Sequence, residues 1–104
     1  MGLFRRGGRR GQQAPVDNRK ATLEHLRGFA SSRAGVEAYI EPATRVTQTT
    51  MVLVAVTGEW TRRRVPDARA AREIAGALRI PVYDVQLTGY PKRMREWSAE
   101  QRRG

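Results

Sequence analysis

The chain has 104 residues, with 20 lysines and arginines against 10 aspartates and glutamates, and it contains no cysteine. That length fits one domain with a single modest core and little room for a deep pocket. A formal charge of +10 favours a polyanionic partner such as nucleic acid, the ribosome, an acidic protein or an anionic membrane surface, and the absence of thiols excludes disulfides, thiolate nucleophiles and cysteine-based metal sites and points to a reducing cytosol.

The size of the charge needs discounting. Lys20 and Lys92 are the only lysines, and so heavy a use of arginine beside abundant Ala, Gly and Val fits GC-rich coding, so part of the excess reflects codons. Its placement is uneven. Residues 1–14 carry four arginines and no acid, residues 92–104 carry five bases and two acids, and the middle is nearly balanced. The longest apolar run, residues 51–56, is far below the roughly 20 residues that span a membrane. Arg5-Arg6 has the look of a twin-arginine signal, but "GGRRGQQAPVDN" follows where an apolar segment is required, so a cytoplasmic chain is expected.

In chain order, residues 1–16, "MGLFRRGGRRGQQAPV", have no periodicity and little to bury, which predicts a disordered basic arm. Its "RRGGRRG" resembles an RGG-type RNA-binding segment. Either the arm is a solubilising tail, or Arg5, Arg6, Arg9 and Arg10 make sequence-independent phosphate contacts; Leu3 and Phe4 beside them suit a membrane surface. A helix is predicted from Asp17, capped by Asp17 or Asn18, with Leu23, Leu26 and Ala30 at helical spacing and Gly35 as its stop. Gly28 weakens it.

"VEAYIE" (36–41) alternates and reads as a half-buried strand ended by Pro42. "TMVLVAV" (50–56) is apolar on both faces, as a central strand should be. Gly58 supplies the glycine of a tight turn, and "WTRRRV" runs back as the third strand. Asp67 is a ready N-cap for a helix on which Ala71, Ile74, Ala75 and Leu78 share one face and Arg69, Arg72, Glu73 and Arg79 the other. "IPVYDVQL" (80–87) alternates as a fourth strand, and Pro91 opens a last helix with Met94 and Trp97 as a narrow apolar stripe. The predicted fold is therefore α+β: a small mixed four-stranded sheet in the element order α-β-β-β-α-β-α, backed by helices. One domain is expected over residues 17–97, with a fraying basic tail at 98–104.

Two basic-aromatic clusters are candidate contacts. On a strand alternate side chains share a face, so Trp60, Arg62 and Arg64 go together while Thr61, Arg63 and Val65 take the other side. An aromatic with two cations suits single-stranded nucleic acid; equally, arginines on an edge strand guard against edge-to-edge pairing. In "TGYPKRMREW", Lys92, Arg93 and Arg95 surround a helix start that favours anions, or else Tyr90, Met94 and Trp97 dock the helix and leave the bases in solvent. His25, the only histidine, has no partner for an ordinary zinc site and no evident nucleophile, and reads as a helix-surface or core-margin residue. Asp84, between apolar neighbours, reads as half of a buried Asp–Arg pair rather than a catalytic acid. No phosphate loop, dinucleotide fingerprint, zinc-protease motif, EF-hand or nucleophile elbow is present, and no cofactor or metal is expected.

The segments "VEAYIEP", "TTMVLVAVTGEWTRRRV", "IPVYDVQ" and "GYPKRMREW" resemble a family of short actinobacterial proteins that share "GEWTRRRV" and "GYPxRMR". The resemblance covers about residues 20–97 and implies a cytosolic protein, with no activity, ligand or catalytic residue to carry over. The functional expectation is a non-enzymatic binding domain that contacts RNA, the ribosome or another polyanion. Arg5, Arg6, Arg9 and Arg10 would supply general attraction, and Trp60, Arg62, Arg64, Lys92, Arg93 and Arg95 a structured surface. The alternative is a protein–protein adaptor or homodimer that uses an open sheet face; an enzyme is the third reading.

Overall fold

The two most apolar strands form the middle of the sheet. The computed structural model describes residues 15–104. Strand β1 (Glu37–Glu41) pairs antiparallel with β2 (Thr50–Val54), and β2 pairs antiparallel with β3 (Trp60–Arg64). Strand β4 (Val82–Asp84) joins the other side of β1 in parallel, so the order is β3-β2-β1-β4. Helix α1 (Pro15–Ser32) precedes the sheet, and α2 (Ala68–Leu78) carries the chain from one edge to the other. Short α3 (Val85–Thr88) and terminal α4 (Lys92–Arg103) follow β4. The fold is α+β with a mixed four-stranded sheet, as expected, and has one more helix than the sequence predicts.

Period-two alternation divides the core into two. Ala38, Ile40, Met51, Leu53 and Val65 face Leu26 and Phe29 of α1 and Ala71 and Ala75 of α2. Helix α1 lies over β2 and β3, and α2 lies over β1 beside α1. On the opposite face Tyr39, Val52 and Val54 pack with Met94 of α4 and with Trp60. Helices thus stand on both faces, which explains why β2 is buried from Met51 to Val54.

The element ends follow local chemistry. The sequence places the first helix start at Asp17 or Asn18, whereas α1 begins at Pro15, where a missing N–H costs nothing. Gly35 sits just beyond the helix end at φ 63°. Asp67 caps α2 as expected, accepting from the Ala70 N–H at 2.8 Å. The fourth strand is shorter than its alternation suggests. The Asp84 carboxylate accepts from the Gln86 N–H at 2.8 Å and starts α3, a turn conformation that a short acidic side chain favours over a continuing strand. Leu87, expected in that strand, is 86% exposed in α3. Helix α4 continues to Arg103, beyond the expected domain limit at residue 97. No helix among the described residues is long and apolar enough to cross a membrane.

Candidate polyanion-binding surface

The register of the sheet sets the site. Glu41, Thr50 and Arg64 lie side by side across three strands, then Tyr39, Val52 and Arg62, then Glu37, Val54 and Trp60. All of these point to the face that α4 covers, so the two basic-aromatic clusters of the sequence meet on one side of the sheet. Arg62 spans the strand between to reach Glu41, donating from Nε to Oε1 at 2.7 Å and from Nη2 to Oε2 at 2.9 Å. Thr50 Oγ1 and the Tyr90 hydroxyl donate to the same carboxylate. Burial alone would raise the Glu41 carboxyl, but the hydrogen bonds from Arg62, Thr50 and Tyr90 outweigh it and hold the group at about 2. Arg62 also lies over the Trp60 ring, 5.1 Å from its centroid.

A second pair fixes α4. Arg93 donates from Nη2 to Glu37 Oε1 at 2.8 Å and from Nε to the Ala55 carbonyl at 3.0 Å. Its hydrogen bond depresses the Glu37 carboxyl against the opposing pull of burial. Burial, with the hydrogen bond donated to Glu37, pushes the Tyr39 phenol up to about 12. Trp60 Nε1 donates to Ser98 Oγ at 2.8 Å. The helix can come this close because residue 58 is glycine: a Cβ there would lie 2.1 Å from the Arg93 carbonyl oxygen.

Of the six structured candidates, Arg62, Arg93 and Trp60 are therefore committed within the fold. Arg64 is exposed on edge strand β3 and makes no ion pair among the described residues. Lys92 is exposed beside Glu96 at 3.7 Å. Arg95 is exposed and donates to the Tyr90 carbonyl at 3.1 Å. Arg5, Arg6, Arg9 and Arg10 lie outside the described residues.

The remaining titratable candidates take local roles. His25 Nε2 lies 2.7 Å from Thr61 Oγ1, and Arg63 Nη2 approaches Nδ1 at 3.3 Å. Arginine can only donate, so Nδ1 accepts and the proton is on Nε2. Burial first, then Arg63 and Arg33, lowers the imidazole's pKa, which favours its neutral form. This is the core-margin role expected. Asp84 differs: it caps α3 and makes no ion pair among the described residues, because the strand ends at its own side chain. The carboxylates that do hold arginines on the sheet are Glu37, with Arg93, and Glu41, with Arg62, and the sequence signal for them is the alternation that puts Glu37, Tyr39 and Glu41 on one face. Shallow depressions lie along residues 43–49 with Pro66, and beside Thr57 and Trp97; neither contains His25 or Asp84. No group of three metal-ligating side chains occurs among the described residues.

Comparison with protein-family models, curated proteins and solved structures finds no match. The resemblance to the actinobacterial family gains no support from these comparisons, and the functional reading rests on the molecule itself.

Proposed function

We propose that this chain is a non-enzymatic polyanion-binding domain whose ligand is RNA, free or within the ribosome. One observation carries this reading: five carboxylates are occupied by arginines or helix caps within the fold, while many of the bases are exposed. Glu37, Glu41 and Glu59 are held by Arg93, Arg62 and Arg33, and Asp67 and Asp84 cap helices. Such pairing leaves a net cationic exterior, which supports attraction to phosphates over a long range. Arg64, Lys92 and Arg95 are the structured contacts in this reading, with Arg5, Arg6, Arg9 and Arg10 adding sequence-independent attraction; Arg62, Arg93 and Trp60 hold the surface in shape.

The test is an RNA titration at several salt concentrations, with the full chain compared with one beginning at Pro15. Affinity is expected to fall steeply with salt, the logarithmic slope losing about 0.7–0.9 for each phosphate contact removed. A flat salt response would overturn the proposal. If only the full chain binds, the N-terminal arginines are the contact; if both bind, Arg64, Lys92 and Arg95 are the residues to substitute.

An adaptor or homodimer remains the rival reading. The open sheet face it invokes carries α4, but Tyr83, Leu87 and Tyr90 are exposed along β4, α3 and the turn that follows, which favours a protein contact there. Light scattering at rising concentration separates the two.

A further inference from the structure

We propose that the outward surface of α1 and α2, on the opposite side of the sheet from α4, binds the phosphate backbone of a nucleic-acid duplex; this rests on the polyanion reading but uses a surface outside the contacts assigned there. The two helices lie side by side and expose Lys20 and Arg27 on α1 and Arg69, Arg72 and Arg79 along α2 and at its end. The exposed acids on the described parts of these helices are Glu24 and Glu73, and Glu73 lies 3.4 Å from Arg69. At about 1.5 Å of rise per residue the cations of α1 extend over about 10 Å and those of α2 over about 15 Å, against a duplex that carries a phosphate about every 1.7 Å of its axis.

What the surface lacks selects the ligand. Among the residues whose side chains are described, 19–104, the large exposed hydrophobics are Val46, Val56, Tyr83, Leu87 and Tyr90, and none is on α1 or α2. A protein partner needs an apolar or aromatic anchor at the centre of its interface. An unpaired base needs an aromatic platform. Cations without either suit phosphates, which position a duplex without reading its sequence. The same exposed surface contains Gly28 and Gly76, both inside helices, where a Cβ would meet no atom within 4 Å. No contact among the described residues calls for glycine at either position, although glycine weakens a helix. Its effect here is to let another backbone come close.

The experiment titrates the full chain with a labelled RNA duplex, with one of its single strands and with polyglutamate. The Arg27→Ala/Arg72→Ala variant is expected to bind the duplex about tenfold more weakly, with the salt slope lower by about two. Arg64→Ala/Arg95→Ala is expected to change duplex binding less. Gly28→Ala/Gly76→Ala should melt at a higher temperature, which shows that it folds, yet lose about threefold in duplex affinity; unchanged affinity would overturn the close approach. Unchanged duplex binding by Arg27→Ala/Arg72→Ala, with loss in Arg64→Ala/Arg95→Ala, would overturn this surface and leave the polyanion reading standing. Preference for the single strand, or equal affinity for polyglutamate, would overturn the ligand assignment. Absence of binding to all three by the unsubstituted chain would remove the polyanion reading itself.

Discussion

Glu41 concentrates most of the polar chemistry on the sheet face beneath Tyr90. Its side chain is 16% exposed while that of Arg62 is 42% exposed, so solvent screens part of the pair, and the hydrogen bonds from Thr50 and Tyr90 share the work. Glu41→Gln should cost about 1–2 kcal/mol at pH 7, read from the urea midpoint. Because the folded carboxyl is held at about 2, below its ordinary 4.5, its contribution is present above 4.5 and is lost as pH falls toward 2. The gap between native and Glu41→Gln midpoints is therefore expected to close over that window; a constant gap down to pH 2 would show that the carboxylate charge is not what matters. The alternation of 36–41 is legible in the sequence and places Glu37 and Glu41 together. Which arginine meets which acid is not, since the partners stand 56 and 21 residues away and only the strand register and the docking of α4 bring them together.

The β2–β3 hairpin and α4 fit through a single position. Gly58 adopts φ 96°, which the turn requires and other residues rarely adopt, and α4 passes where its side chain would be. Gly58→Ala is expected to destabilise the fold by about 2 kcal/mol or more, by backbone strain together with displacement of Arg93 and Trp97. Thermal unfolding checks this, and a change near zero would mean that α4 does not dock as described. The glycine's place in a turn can be read from "VTGEW", but not its closeness to a helix that arrives 35 residues later. Strand β4 shows the opposite limit. Alternation continues to Leu87, yet Asp84 caps a helix instead, because a local hydrogen bond to Gln86 competes with a strand that has β1 on one side and no partner on the other. The run "WTRRRV" is an edge strand, and its arginines divide between the two faces as period two requires.

With helices on both faces of the sheet, the apolar surface of β1 and β2 is closed within one chain. The 104-residue chain is therefore expected to scatter light as a monomer across a wide concentration range. A mass that rises with concentration would favour the adaptor reading and direct attention to Tyr83, Leu87 and Tyr90. Charge is also distributed at this scale. Exposed bases outnumber exposed acids on both helical layers, so the two polyanion surfaces proposed face away from each other across the sheet.

The sequence by itself determines the α+β class, the central strand at 50–54, the cap at Asp67, the turn at Gly58 and the cationic balance, since each depends on periodicity, on one residue's backbone preference or on composition. Tertiary structure alone decides that α4 covers the second face, that Arg62 and Arg93 are held by Glu41 and Glu37, and that the arginines of α1 and α2 share one exposed layer. These depend on contacts between segments far apart in the chain, and a one-dimensional pattern contains no distance between them.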